Sequence, residues 1–304
     1  MTQWATFAGL TGVVCALLLL LSHATTHSLT GPDDADTPTR TDAAGSDSSA
    51  SEPAQTAEST RSSHDPSAEP RSLESSTEPR SNEPPTGRVP ERDGARAAQS
   101  NLQPPESMST GALLANVALS QGLFAAVLIG AAVYTAVPAS ALGIEFSQSY
   151  LLTGLLVGVG VGVVLAAVNE LGSVAAARRG VDPGTELREL LAPETRGGWL
   201  VLLVVVLPVI ALFEEFLFRA ALIGALSVGF GVSPWLLAVV SSLAFALGHG
   251  IQGRVGILVT GTLGFVLAAV FILTESLLTV VVAHYLVNAF EFVLHEGTGL
   301  EWSS

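Results

Sequence analysis

This chain predicts an all-α fold: a polytopic membrane helical bundle with an N-terminal apolar segment and a disordered acidic tether. Three observations predict it. Hydrophobic residues make up 49% of 304 positions, with a mean hydropathy of +0.51. They gather in long runs, near the length at which a helix crosses a hydrocarbon core of about 30 Å. Over half of the charged residues fall instead in one hydrophilic block, residues 24–110.

The first run, residues 4–22, has no Lys or Arg before it, so a standard secretory signal peptide does not fit. Apolar residues continue past Cys15, which argues against a lipoprotein signal. Residues 1–23 read as a transmembrane anchor, with a cleaved or atypical signal as the alternative. Residues 24–110 are rich in Ser, Pro and Thr and carry fifteen acidic and seven basic residues. Such a segment cannot bury enough apolar surface to offset the entropy of ordering, so it reads as a disordered spacer. Residues 111–296 read as a multi-helix membrane domain, followed by a short tail at 297–304. Its helices are expected near 112–136, 150–170, 198–226, 234–250, 255–273 and 276–295, with the motifs in 198–295. Gly154, Gly158, Gly160 and Gly162 sit at spacings that let helices approach closely in lipid. Pro208 removes a backbone donor inside the third of these helices and should kink it.

The formal charge is −14, and all 13 basic residues are Arg. An acidic chain without lysine fits a high-salt cell interior or a GC-rich genome. It has no basic face with which to neutralise phosphates, so nucleic acid is not expected as a partner. A single cysteine, Cys15, excludes an intramolecular disulfide and a cysteine zinc site. Arg178, Arg179, Arg188 and Arg196 lie between the second and third helices of the domain. By the positive-inside rule that loop is cytoplasmic. Alternation then puts the tether and the C-terminus in the cytoplasm, in what we read as a prokaryotic plasma membrane.

Three polar motifs interrupt the apolar spans: Glu214-Glu215-x-x-x-Arg219, Phe245-x-x-x-His249 and His284-x-x-x-Asn288. Ionisable groups at bilayer depth cost at least a few kcal/mol each and mark functional sites. Glu215 and Arg219 are four residues apart on one helical face and should pair. Glu214 is offset by about 100° and can point into a cavity as a free carboxylate. Phe245 stacks one turn before His249. His284 and Asn288 share a face and form a donor pair suited to a developing oxyanion. A carboxylate and an imidazole on the other walls suit deprotonation of a water.

On these motifs, residues 150–295, and most strictly 200–295, resemble the CPBP family of intramembrane glutamic endopeptidases, the type II CAAX prenyl proteases or ABI family. The resemblance implies an all-helical membrane fold with an internal cavity, and a metal-independent hydrolase that needs no cofactor. It implies that Glu214 and His249 activate water, that His284 and Asn288 form the oxyanion hole, and that Glu215, Arg219 and Phe245 support them. The implied substrate is a membrane protein or a lipidated peptide, possessing a prenyl group or not, met in the lipid bilayer. Ala220 stands where the family commonly has Gly, which bears on packing.

Other readings remain open. The chain could be a non-catalytic membrane scaffold or an immunity-type binding protein that uses its tether for partner capture. A Glu/His relay could instead move protons or cations. Glu214, His249 and His284 could in principle bind a metal, although His295-Glu296 lacks the second His of a zinc protease motif. Glu170, Glu275 and Glu291 read as interfacial, and His295 and Glu296 as solvated.

Overall fold

The computed structural model describes residues 1–29, 109–178, 186–250 and 253–297. Most of the tether expected at 24–110, and the tail beyond 297, lie outside the described residues. Among the described residues all regular structure is helical. The elements are α1 (Trp4–Leu29), α2 (Thr110–Tyr134), α3 (Gln148–Ala177), α4 (Glu186–Leu191), α5 (Arg196–Phe230), α6 (Pro234–Gly248), α7 (Gly253–Thr274) and α8 (Leu277–His295). Six of them, all but α4 and α6, are long and apolar enough to cross a membrane. Helices α2, α3, α5, α6, α7 and α8 each start within two residues of the expected position. Helix α3 runs on to Ala177, and α1 continues past the expected boundary to Leu29. The short elements, α4 and a 3₁₀ turn at Ala139–Leu142, have no hydrophobic period to announce them.

Local chemistry sets the helix ends. Ser109, Thr195 and Ser276 are N-caps whose hydroxyls accept from the backbone N–H groups of Ala112, Gly198 and Thr279. Pro234 opens α6, where its missing N–H costs nothing. Gly231, at φ 67°, ends α5 in the left-handed conformation. Inside α5 the turns widen into π-helix at Leu202–Val206, tighten to α over Leu207–Glu215, and widen again over Phe216–Ala225. The first widening precedes Pro208 and accommodates its ring against the preceding turn.

The glycines of α3 act as read, with one exception. A Cβ on Gly154, Gly158 or Gly162 would lie 2.8–3.1 Å from atoms of α8 or its cap, including the Thr279 carbonyl and Ala283 Cα. These three residues are a stripe at i, i+4 and i+8, and they let α8 lie directly on α3. Gly160 points elsewhere, with nothing within 4 Å. The opposite face of α3, including Leu152, Leu156 and Val163, is exposed, as a lipid-facing surface would be.

Polar contacts tie the two ends of the bundle. At one end Gly143, at φ 67°, turns its carbonyl to accept from Leu277 N (2.9 Å) and Tyr150 OH (2.7 Å). A Cβ there would also sit 2.7 Å from the Phe271 ring. At the other end Arg188 of α4 bonds Glu291 (3.2 Å) and Glu296 (2.8 Å), and His295 lies 2.9 Å from Glu170. The carboxylates expected merely to face the interface, Glu170 and Glu291, therefore lace helices together, as do His295 and Glu296.

Replacing Gly158 by Leu should overpack the α3–α8 contact and destabilise by roughly 1–3 kcal/mol. The same change at Gly160 should leave the melting temperature of the detergent-solubilised protein unchanged. Equal behaviour of the two variants would refute the close contact.

Candidate active site

Glu214 and Glu215 end the central α-helical segment of α5, and the wider turns begin at Phe216. Both side chains are buried, as is Arg219. Glu215 Oε1 accepts from Arg219 Nη1 at 2.9 Å and from His284 Nδ1 at 2.7 Å. Arg219 Nη2 donates to the Gly264 carbonyl of α7 at 2.9 Å. Its guanidinium carbon lies 4.8 Å from the centre of the Phe245 ring of α6, a cation–π contact. An uncompensated guanidinium here would be strongly destabilising, so its partners on α5, α6 and α7 hold those helices in register.

Phe245 occupies the middle of this arrangement. Its ring meets Phe218 edge-on at 5.1 Å, His249 at 4.5 Å and His284 edge-on at 6.0 Å. Ser241, one turn earlier, donates to the Phe218 carbonyl at 2.7 Å and fixes α6 against the wide turns of α5. Helix α6 has 15 residues. At 1.5 Å per residue that is about 22 Å, short of the roughly 30 Å hydrocarbon core. A helix this short can end at bilayer depth, and His249 is its C-cap, with φ −103° and ψ 26°.

Hydrogen bonds assign the tautomers. His249 Nδ1 lies 2.8 Å from the Phe245 carbonyl, which only accepts, so Nδ1 carries the proton. His284 Nδ1 likewise donates to the Glu215 carboxylate. Both rings then turn Nε2 toward Glu214: His249 Nε2 lies 4.0 Å from Oε1, and His284 Nε2 lies 3.7 Å from Oε2. Glu214 Oε2 is buried and makes no hydrogen bond. The carboxylate thus keeps acceptor capacity between two imidazoles contributed by different helices.

A cavity of about 460 Å³ opens beside them, between α3, α7 and α8. Its walls include Phe245, His249, His284 and Asn288, with apolar residues such as Leu165, Val259 and Val266. Glu214 is set back from it and meets it through the two imidazoles. The far end is polar, where Asn169, Ser173 and Glu291 line the wall and Asn169 Nδ2 approaches Glu291 Oε2 at 3.5 Å.

The motif residues His249 and His284 therefore each come within 4.0 Å of Glu214, and Asn288 lines the same cavity as the two imidazoles. The Glu215–Arg219 pair forms as spaced, but Glu215 also holds His284, which no single-helix argument shows. Sequence reasoning missed Gly264, whose carbonyl function leaves no mark in side-chain pattern. It also missed Asn169, a lone amide in an apolar span that intramembrane polarity could have flagged. A metal here would have to use Glu214, His249 and His284. Among the described residues no group of three or more His, Cys, Asp and Glu has metal-ligand geometry.

Residues 196–290 match the family model described as type II CAAX prenyl endopeptidase, Rce1-like. The match runs from the start of α5 through most of α8 and contains all three motifs. It supports a CPBP/CAAX protease family, and with the six apolar helices it supports an integral membrane protein. Comparison with curated proteins and with solved structures gave no match.

Arg219→Ala should leave Glu215 buried without its cationic partner, held by His284 alone, and cost about 3–5 kcal/mol. Arg196→Ala, at an exposed position, should change stability by less than about 0.5 kcal/mol. Thermal unfolding in detergent, or folded yield in membranes, distinguishes the two.

Proposed function

We propose, from the premise of a CAAX-type intramembrane protease, that this protein hydrolyses peptide bonds by a glutamic-type mechanism centred on Glu214. The observation that carries the proposal is the placement of Glu214 between two imidazole Nε2 atoms at 3.7 and 4.0 Å. These separations exceed a direct hydrogen bond and suit one bridging water.

In this mechanism Glu214 and the Nε2 lone pair of His249 hold the water. Its oxygen attacks the carbonyl carbon of the scissile bond while Glu214 takes a proton. The carbonyl electrons move to oxygen, where His284 Nε2–H and the Asn288 amide meet the charge. Collapse breaks the C–N bond, and Glu214 returns its proton to the leaving nitrogen. Nε2 of His284 donates only when its ring carries both protons. The buried set Glu214, Glu215, Arg219 and His284 is then electrically neutral, which suits a site with little solvent.

The largely apolar cavity walls fit a substrate that arrives from the bilayer, a membrane protein or a lipidated peptide. The polar end lies beside Arg188, at the arginine-bearing end of the bundle. By the positive-inside rule this end, the tether and the C-terminus face the cytoplasm of a prokaryotic cell. Glu215 and Arg219, which do not line the cavity, position the reacting groups without contacting substrate, while Phe245 both supports them and forms part of the cavity wall.

Glu214→Gln should lower hydrolysis by at least roughly 10²-fold while melting temperature holds. Comparing protein termini in membranes carrying either chain reads this directly, and full activity in the variant would sink the mechanism. Asn288→Ala should lower kcat by roughly 10²–10³-fold. Hydrolysis should survive strong chelation; complete loss on chelation, restored by metal, would favour a metal-dependent route.

A further inference from the structure

We propose that Ser22 of α1 is a positioning residue for His249, and that α1 is a permanent wall of the catalytic bundle. The proposal rests on the reading of His249 as a group that activates water. It begins from the last carbonyls of α6, which a helix leaves without intrahelical partners. The Phe245 carbonyl accepts from His249 Nδ1 at 2.8 Å. The Ala246 and Leu247 carbonyls accept from the backbone N–H of His249. The Gly248 carbonyl accepts from the Ser22 hydroxyl at 2.6 Å, across 226 residues of sequence.

That last bond falls on the peptide plane joining Gly248 to His249. The plane is held on one edge by the His249 N–H and on the other by Ser22. Its orientation sets the backbone frame from which the His249 side chain, through χ1 and χ2, reaches toward Glu214. Near bilayer depth water competes poorly for a carbonyl, so a hydroxyl from a neighbouring helix has unusual leverage.

Ser22 can serve as a reference point because α1 is itself fixed. At its start Gln3 N donates to the Thr135 carbonyl at 2.9 Å. The Trp4 indole packs so closely on Gly229 that a Cβ there would lie 2.6 Å from Cε3. Phe7 and Thr11 are fully buried and Val14 nearly so, on one face against α2, α5 and α6. Removal of α1 as a signal would expose that face of the core and free the Gly248 carbonyl.

The test uses the full chain in detergent or proteoliposomes, with kinetics expressed per folded molecule. Ser22→Ala should lower kcat roughly three- to tenfold with KM unchanged, as expected for the loss of one hydrogen bond. Ser22→Thr, which keeps the hydroxyl, should restore it. A kcat for Ser22→Ala within twofold of the native value overturns the proposal while leaving the protease reading intact. If the native chain hydrolyses nothing, the protease reading fails, and the clamp is judged by diethyl pyrocarbonate labelling of His249. Faster labelling in Ser22→Ala but not Ser22→Thr supports it; equal rates overturn it. Intact-mass analysis of the membrane-extracted chain should retain residues 1–22, and their loss also overturns it.

Discussion

An arginine with 1% of its surface exposed, inside a bundle of apolar helices, is the constraint around which the rest is arranged. Removing a guanidinium from water carries a desolvation penalty of several kcal/mol, and good geometry must offset it. Arg219 meets that demand with partners on three helices: Glu215 on α5, the Gly264 carbonyl on α7 and the face of Phe245 on α6. Glu215 extends the chain of contacts to His284 on α8. One buried cation thereby fixes the relative positions of the three helices that carry the motifs and of α7 beside them. Gly264 has to be small for this: a Cβ there would come within 2.9 Å of the Phe245 ring.

The division of labour between the two glutamates follows. Glu215 is committed to Arg219 and His284, while Glu214 lies one residue away and faces the two imidazole Nε2 atoms. Adjacent positions on a helix point about 100° apart, so one carboxylate can serve the scaffold while its neighbour faces the two imidazoles that line the cavity. The two histidines are prepared by the same logic. Each has its Nδ1 proton engaged, by a carbonyl in one case and a carboxylate in the other, which leaves Nε2 for chemistry.

The periphery supports this centre by two different means. Helix α8 rests on α3 through the glycines of α3, where dispersion contacts substitute for the hydrophobic drive that lipid cannot supply. Its exit is laced by Arg188 to Glu291 and Glu296. Helix α1 packs the other side and reaches the end of α6 through Ser22. Chain segments far outside the matched residues 196–290 thus bear on the geometry within them.

The amino-acid sequence by itself determined the helices and the polar motifs. Bilayer thickness imposes a length on each span, and the energy of burying charge makes Glu214, Glu215, Arg219, His249 and His284 stand out in apolar runs. Helical periodicity also determined that Glu215 would meet Arg219, because both lie on one helix. What only the tertiary structure decided are relations between helices: Glu215 holding His284, Gly264 receiving Arg219, Asn169 and Glu291 sharing the end of the cavity, and Ser22 holding the peptide before His249. The part Gly154, Gly158 and Gly162 play, with Gly160 excluded, became definite only when α8 was seen to lie on α3. Periodicity specifies which residues share a face, but the partner of that face depends on how helices distant in sequence pack, and a backbone carbonyl is identical in every residue.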